Sequence, residues 1–244
     1  TDIFNMSFGL DTVNSYALTT LTEDALWDGV ANLRDRKGAI YIQSAGNGFG
    51  GFVDYVSGQS ALCSNAAENT LSCQSTAMDP TFVHPAIIGV AALGADGKLA
   101  SYSTAGSANW ISAPGGEFGV NSTYVGSGSG SPAIMTVDRS TCNNGYVTSN
   151  MSPESVYNAF DDKGNHSNNA SCNYTSTFNG TSASAPMVSG VVALMLEANP
   201  ALTWRDVKHI LASTARQVDA SRAAVTINDL VVEPAWITNA AGYT

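Results

Sequence analysis

The sequence contains 244 residues, of which 44% are hydrophobic and 12% charged, and its formal net charge is −10. That length can bury a large core and fits one α/β domain or one barrel rather than two independent domains. Asp and Glu number 20 against 10 Lys and Arg, so the clustered basic surface that nucleic-acid binding requires is not expected. No run of about 18 apolar residues occurs, and we therefore predict no membrane span.

Two predicted strands enclose a predicted helix in the first part of the chain. Residues 2–8 (DIFNMSF) are typical of a buried strand, and residues 39–47 (AIYIQSAGN) predict a second. Between them a helix is predicted over 20–38, beginning with a capping box of Thr20 and Glu23. Strand, helix and strand in this order indicate a right-handed crossover in a parallel sheet.

The carboxyl ends of these two strands are the expected place for a ligand, because parallel sheets bind ligands at that edge. Gly9 follows the first strand, and residues 44–48 (SAGNG) end the second. Both are therefore expected at the same edge of the sheet.

The middle of the chain is predicted to alternate strands with long polar connections. Residues 48–82 are rich in glycine and serine and contain two cysteines, which is typical of a long excursion closed by a disulfide. A third buried strand is predicted over 85–93, shorter strands over 98–106 and 109–116, and surface loops or hairpins over 119–179.

The four cysteines fall into two spaced pairs. Neither pair has the C-x-x-C spacing of a zinc or redox site, so disulfides formed in an oxidising compartment are expected. We predict local pairing of Cys63 with Cys73 and of Cys142 with Cys172. The protein is accordingly expected to be secreted, periplasmic or on the cell surface.

Two helices are predicted towards the carboxyl end. The segment after Ser182 is apolar on nearly every face over 188–196, which predicts a central, buried helix. Residues 200–215 predict an amphipathic helix that is capped by Thr203 and has Asp206 in its first turn.

Ser182 begins the first of these helices, within the string NGTSASAP. A serine at this position can act as a helix cap, or as a nucleophile if a base takes its proton. The string and the apolar helix after it resemble the nucleophile motif of the subtilisin-like serine proteases, the subtilases, and not the G-x-S-x-G motif of the α/β-hydrolases. The resemblance implies a serine endopeptidase that hydrolyses peptide bonds through an acyl-enzyme on Ser182.

A second string, IYIQSAGNG, resembles the subtilase strand and turn that carry the oxyanion-hole asparagine. The resemblance maps that asparagine onto Asn47. An amide N–H₂ at a strand end can donate to a developing oxyanion alongside the backbone N–H of Ser182. Without the resemblance, Asn47 would be interpreted as a turn residue.

A third string, NMSFG, resembles the subtilase strand whose backbone pairs with an extended substrate. The resemblance places Ser7, Phe8 and Gly9 on one wall of the primary specificity pocket, with Ala45 and Gly46 on the other. ISAPGGE, later in the chain, fits the family as well.

The family implies a three-layer α/β fold, in which helices flank a central, mostly parallel sheet. Residues 1–244 would form part of a subtilase catalytic domain, incomplete at the N-terminus and carrying the oxyanion asparagine and the nucleophile. The implied partner is a polypeptide substrate, and the chemistry requires no cofactor.

The string EANPALTWRDVKHIL is similar to the kexin and furin branch or its bacterial relatives. That branch cuts after paired basic residues, uses acidic pocket groups and bound calcium, and often continues into a β-sandwich domain. Asp11, Asp54 and Glu117 are the candidate carboxylates for structural Ca²⁺ or a basic substrate side chain, with solvated surface acids as the alternative. Thr104 stands where the branch has glutamate, which argues against dibasic specificity.

The triad of the family follows the chain order Asp, His, Ser, and its first two members are not found in this sequence. Neither D-[ST]-G nor H-G-T occurs. His84, His166 and His209 match no catalytic position, and Asp11 comes too late in the chain. We interpret the chain as a fragment that begins downstream of both residues, and we predict that it is inactive without the missing N-terminal portion of the same enzyme.

The same motifs allow two alternative functions besides the protease. A non-catalytic subtilase relative would bind peptides without cutting them, and an unrelated secreted binding module would use Ser182 only as a helix cap. Retention of both Ser182 and Asn47 favours the enzyme, because neither alternative needs this pair of side chains.

Overall fold

The computed structural model describes residues 2–9, 17–54, 59–120, 131–151, 157–236, 238 and 242–243. Its helices are α1 (Thr20–Asn32), α2 (Ser64–Glu68), α3 (Thr181–Ala198) and α4 (Trp204–Thr214). Its strands are β1 (Ile3–Met6), β2 (Ile40–Ser44), β3 (Gly51–Asp54), β4 (Gln59–Leu62), β5 (Ile87–Leu93), β6 (Ile111–Pro114), β7 (Ile134–Val137), β8 (Tyr174–Phe178), β9 (Val225–Ile227) and β10 (Leu230–Glu233).

Four of these strands form the central sheet, in the order β1-β2-β5-β6, and all neighbouring strands run parallel. The predicted parallel pairing of β1 with β2 is confirmed, since Ile3 pairs with Ile40 and Met6 with Gln43. β2 is buried along its whole length. β1 is only partly covered, contrary to the prediction, because it is the outer strand of the described sheet.

Helices cover both faces of this sheet, which gives the predicted three-layer α/β architecture. On one face Phe4 stacks on Tyr41 at 4.9 Å, and α1 approaches so closely that a side chain at Gly29 would strike the Tyr41 ring. Side chains alternate between the faces of a strand, so Asn5 points the other way. Its amide oxygen accepts the hydroxyl of Ser189 on α3 at 2.9 Å.

The bounds of α1 differ from the prediction at both ends. The N-cap is Thr19, one residue earlier than expected, and its hydroxyl accepts the Thr22 N–H at 3.2 Å. The helix ends at Asn32 rather than Gly38. Residues 34–36 have φ between 53° and 64°, a left-handed conformation through which a right-handed helix does not continue.

The prediction that α3 is buried holds for only one of its faces. Val188 and Val192 are buried against the sheet, whereas Val191 and Leu194 are 50% and 66% exposed. By length and composition alone α3 could cross a membrane, a property that it shares with helices of protein cores. The apolar composition therefore predicts the helix correctly. It does not predict that the described residues cover only one of its faces.

The amphipathic helix α4 is confirmed, together with its cap. Thr203 and Asp206 form a reciprocal capping box, in which the Thr203 N–H donates to the carboxylate at 2.8 Å and the Asp206 N–H donates to the hydroxyl at 3.2 Å. These bonds to Thr203 hold the pKa of Asp206 below its ordinary value. Val207 and Leu211 are buried in the core, as the periodicity predicts.

Both predicted disulfides are confirmed. Cys63–Cys73 closes the excursion between β2 and β5, and Cys142–Cys172 closes the connection between the antiparallel strands β7 and β8.

Residues 98–106, predicted as a strand, instead form turns with isolated bridges. The Ala100 N–H donates to the Ala92 carbonyl of β5 at 3.0 Å, and Leu99 forms an isolated bridge with Leu93 of β5, but the pairing does not continue as a strand.

Candidate active site

The turn after β2 carries Asn47 at the carboxyl edge of the sheet. Gly46 has a φ of 93°, a conformation that glycine adopts without steric cost. Its N–H donates to the Thr181 hydroxyl at 3.1 Å, and the Gly48 N–H donates to the buried Thr104 hydroxyl at 2.9 Å. Two hydroxyls therefore fix the backbone on either side of Asn47.

The turn before α3 presents Ser182 at the same edge. Gly180 is the N-cap, with a φ of 110°, and Ser182 is the second residue of the helix. Its backbone N–H is one of the first-turn donors that no carbonyl of the helix can satisfy. Its hydroxyl is half-buried and lies 3.4 Å from the Ser7 carbonyl oxygen.

Pro186 lies in the interior of α3. It is the sixth helical residue and not part of the first turn. Because proline has no N–H, the Ser182 carbonyl has no helical donor four residues later. The Ser7 hydroxyl donates to that carbonyl at 3.0 Å instead, so the segment after β1 is bonded to the main chain of Ser182.

Asn47 and Ser182 line one cavity of about 150 Å³. The N–H and the hydroxyl of Thr181 both donate to Asn47 Oδ1 at 3.0 Å. An N–H bonds only an acceptor, so these contacts fix which end of the amide is oxygen. The Cβ position of Gly180 would lie 3.6 Å from Ser182 N and 3.7 Å from Asn47 Nδ2. Asn47 Oδ1 lies 3.8 Å from the same position, so the Ser182 N–H and the Asn47 amide are neighbours.

Four of the five predicted substrate-binding residues line this cavity. Phe8 and Gly9 come from the segment after β1, and Ala45 and Gly46 come from the turn after β2. The fifth, Ser7, contacts Ser182 through both its hydroxyl and its carbonyl. Motif order along the chain could not distinguish a residue that faces the cavity from one that braces the serine.

Asp79 is a cavity carboxylate that sequence reasoning missed. It belongs to the excursion between β4 and β5, and it lines the cavity together with Gly9. One carboxylate oxygen accepts the N–H groups of Thr81 and Phe82 at 2.8 Å and 3.2 Å. The other lies 3.4 Å from Gln43 Nε2. Its only sequence signal is an Asp-Pro pair, which predicts a turn and nothing about the cavity.

The three histidines have contacts elsewhere in the described structure. His84 is buried against Trp27, and burial lowers its pKa. His166 packs against Phe160, and His209 contacts the Tyr243 hydroxyl. Among the described residues no histidine lines the cavity of Ser182.

The carboxylates considered for calcium do not form a metal site within the described residues. Both oxygens of Glu117 accept bonds from Ser101, at 2.6 Å from its N–H and 2.7 Å from its hydroxyl. Asp11 and the side chain of Asp54 lie outside the described residues. Within the described part, no group of three or more His, Cys, Asp or Glu could hold a metal ion.

Comparison with known proteins links this geometry to proteases. The chain is 33% identical over 251 residues to the Aeromonas extracellular serine protease of Aeromonas sobria, covering 98% of this chain and 37% of that protein. It is 49% identical over 69 residues to the human proprotein convertase subtilisin/kexin type 5, covering 28% of this chain and 3% of that protein. The similarity to the kexin branch is therefore confirmed over 69 aligned residues.

Solved structures agree with the sequence relatives. The crystal structure of the serine protease of Aeromonas sobria superimposes with a TM-score of 0.75 at 30% identity, and its complex with the chaperone superimposes with a TM-score of 0.76 at 30% identity. Each comparison covers 98% of this chain and 39% of the solved chain. The chain thus spans less than two fifths of these relatives.

The family profile described as the subtilase family matches residues 1–230. Together with the parallel sheet, the flanking helices and the Aeromonas relatives, this match establishes that the chain belongs to the subtilase family of serine proteases.

Proposed function

We propose that residues 1–244 are a portion of a subtilase catalytic domain and supply the nucleophile and the oxyanion site of a serine endopeptidase. Ser182 Oγ attacks the scissile carbonyl while a base takes its proton, and the leaving amine receives that proton as the acyl-enzyme forms. Water then hydrolyses the ester. No cofactor takes part, since every reacting group belongs to protein, substrate or water.

The observation that supports this proposal most is the proximity of Ser182 N and Asn47 Nδ2. They would lie 3.6 Å and 3.7 Å from a Cβ atom at Gly180. A developing oxyanion requires preorganised N–H donors that lie near one position, and the proximity of these two nitrogens supports that role. A helix-capping serine would need neither Asn47 nor the two Thr181 bonds that fix its amide.

The general base and its orienting carboxylate are proposed to come from chain outside residues 1–244. The Ser182 hydroxyl bonds only weakly to the Ser7 carbonyl, and a carbonyl oxygen is too weak a base to activate it. We call residues 1–244 together with the segment that supplies this base the complete enzyme. Residues 1–244 alone are proposed to be inactive.

The proposed substrate is an extended polypeptide in an extracellular or periplasmic setting. Residues 7–9 continue from β1, the outer strand of the described sheet, and would pair with a substrate strand through main-chain bonds. The two disulfides fit an oxidising compartment.

Labelling with a fluorophosphonate tests the proposal. The complete enzyme is expected to be modified at Ser182, as located by peptide mass spectrometry, and residues 1–244 alone are expected to remain unmodified. A complete enzyme that binds peptides without being labelled would support the non-catalytic relative instead. Modification at another serine would refute the assignment of the nucleophile.

We further propose that Asp79 favours a cationic substrate side chain in the cavity. One of its oxygens lies beside Gly9, where a Cβ would be 3.7 Å away. A charge-assisted hydrogen bond contributes about 1.5–3 kcal/mol. Asp79→Asn in the complete enzyme should therefore lower kcat/KM for peptides with Lys or Arg before the cut by about 10- to 100-fold.

The control for Asp79 is Asp35→Asn, which makes the same change in net charge at a side chain that is 98% exposed. It should leave kcat/KM unchanged for every peptide, and Asp79→Asn should leave peptides with a neutral side chain at that position nearly unaffected. Equal losses for cationic and neutral peptides would contradict a role in selection.

A further inference from the structure

The Tyr102 side chain connects two turns that lie far apart in the sequence. Its hydroxyl oxygen accepts the Gly180 N–H at 2.9 Å. The same oxygen lies 2.8 Å from the Gly115 carbonyl and 2.7 Å from the Gly116 carbonyl. Since a hydroxyl has one proton, it donates to one of these carbonyls at a time. The turn after β6 and the turn before α3 therefore share one anchor.

Gly180 has no side chain, so only its backbone can hold it: its N–H donates to the Tyr102 hydroxyl, and its carbonyl accepts the Ala183 N–H at 2.9 Å. Its φ of 110° and ψ of 156° lie in a region that essentially only glycine adopts, and this N-cap makes no side-chain capping bond. Thr181 and Ser182 follow directly. A shift of the Gly180 peptide therefore shifts the Ser182 N–H relative to Asn47.

The loop that carries Tyr102 also holds the turn of Asn47. The Thr104 N–H donates to the Gly46 carbonyl at 3.0 Å, and the Thr104 hydroxyl accepts the Gly48 N–H at 2.9 Å. Thr104 is buried. Tyr102 and Thr104 thus contact the two turns that line the cavity.

We propose, on the basis of the function proposed above, that Tyr102 is a positioning residue whose hydroxyl sets the distance between the Ser182 N–H and the Asn47 amide. The residue acts through Gly180 and touches no reacting atom. Burial raises the pKa of Tyr102 to about 12, so the hydroxyl keeps its proton at neutral pH and remains both donor and acceptor.

Tyr102→Phe in the complete enzyme removes the hydroxyl and keeps the ring, which packs edge-on against Phe118 at 5.9 Å. Because small displacements of catalytic groups cost large factors in rate, kcat is expected to fall about tenfold or more while KM stays within about twofold. A peptide aldehyde places an oxyanion between the two donors when it adds to Ser182, so its affinity should fall in parallel with kcat/KM. A peptide with a reduced scissile bond has no such oxygen, and its affinity should not change.

Ser103→Ala is the matched control, because it deletes a buried hydroxyl from the adjacent residue. That hydroxyl accepts the Ala92 N–H at 3.0 Å and bonds neither turn. A lowered Tm with unchanged kcat is expected.

Phe118→Leu loosens the Tyr102 ring and retains its hydroxyl, so it should give a smaller loss of kcat than Tyr102→Phe. This second variant tests the proposal even if Tyr102→Phe does not fold.

Equal kcat losses in Tyr102→Phe and Ser103→Ala would show a purely structural role and overturn the proposal. Equal losses of affinity for the aldehyde and the reduced peptide would do the same. A wild-type complete enzyme that fails to label at Ser182 overturns the proposed function itself. Labelled wild type with full activity in Tyr102→Phe overturns only the role of Tyr102.

Discussion

Ser182→Ala in the complete enzyme is expected to lower kcat by about 10⁶-fold. In subtilisin, loss of the nucleophile costs about 2 × 10⁶ in kcat, and such a factor corresponds to about 8.6 kcal/mol of transition-state stabilisation. The covalent route disappears because no oxygen remains to attack the carbonyl. The measurement is kcat on a chromogenic peptide, with fluorophosphonate labelling as the second readout.

Folding and peptide binding should survive this substitution. The hydroxyl makes one long contact, 3.4 Å to Ser7, whereas the stronger bond from Ser7 goes to the Ser182 carbonyl and remains. Ser189→Ala provides the control on the same helix, since its hydroxyl contacts Asn5 and Ala185. Activity of Ser182→Ala within about 100-fold of wild type would be incompatible with the proposed nucleophile.

Local sequence predicts those parts of the fold that local physics determines. The crossover from β1 to β2 follows from apolar strands around a helix, and the capping box of α4 follows from Thr203 and Asp206 at the required spacing. The two disulfides agree with the local pairing that was predicted for the four cysteines. Each of these features depends on neighbours in the sequence or on a few strongly constrained pairs.

Features that depend on distant contacts could not be predicted from the sequence. The bonds from Thr181 to Asn47 join residues 134 positions apart, and no local pattern reports them. Asp79 was missed because composition does not determine the path of the excursion that carries it. The exposed face of α3 was missed because apolar character does not reveal which neighbours are present.

The position of Pro186 shows how a local rule can fail for a physical reason. A proline in a helix interior normally leaves a carbonyl without its donor. Here the Ser7 hydroxyl donates a hydrogen bond to the Ser182 carbonyl that the proline leaves without a helical donor. This bond joins the helix to the segment after β1. The donor, Ser7, lies 175 positions before Ser182, so this compensation becomes visible only in three dimensions.

Asn47→Asp is expected to lower kcat by about 10²–10³-fold with little change in stability. Removal of one oxyanion donor from subtilisin costs about 2.7–4 kcal/mol. The carboxylate retains an oxygen for both Thr181 bonds, but its second oxygen would face the developing negative charge. KM should change little, because the interaction is made mainly in the transition state.

Asn47→Ala separates the catalytic part of this residue from its structural part. It removes the donor but also leaves the buried Thr181 N–H and hydroxyl without their acceptor, at about 1–3 kcal/mol of stability. The two variants should therefore share a low kcat, while only Asn47→Ala shows a lowered Tm. If Asn47→Asp kept kcat within about threefold of wild type, the amide N–H₂ would not be an oxyanion donor. If KM rose and kcat did not fall, Asn47 would bind the substrate without stabilising the transition state.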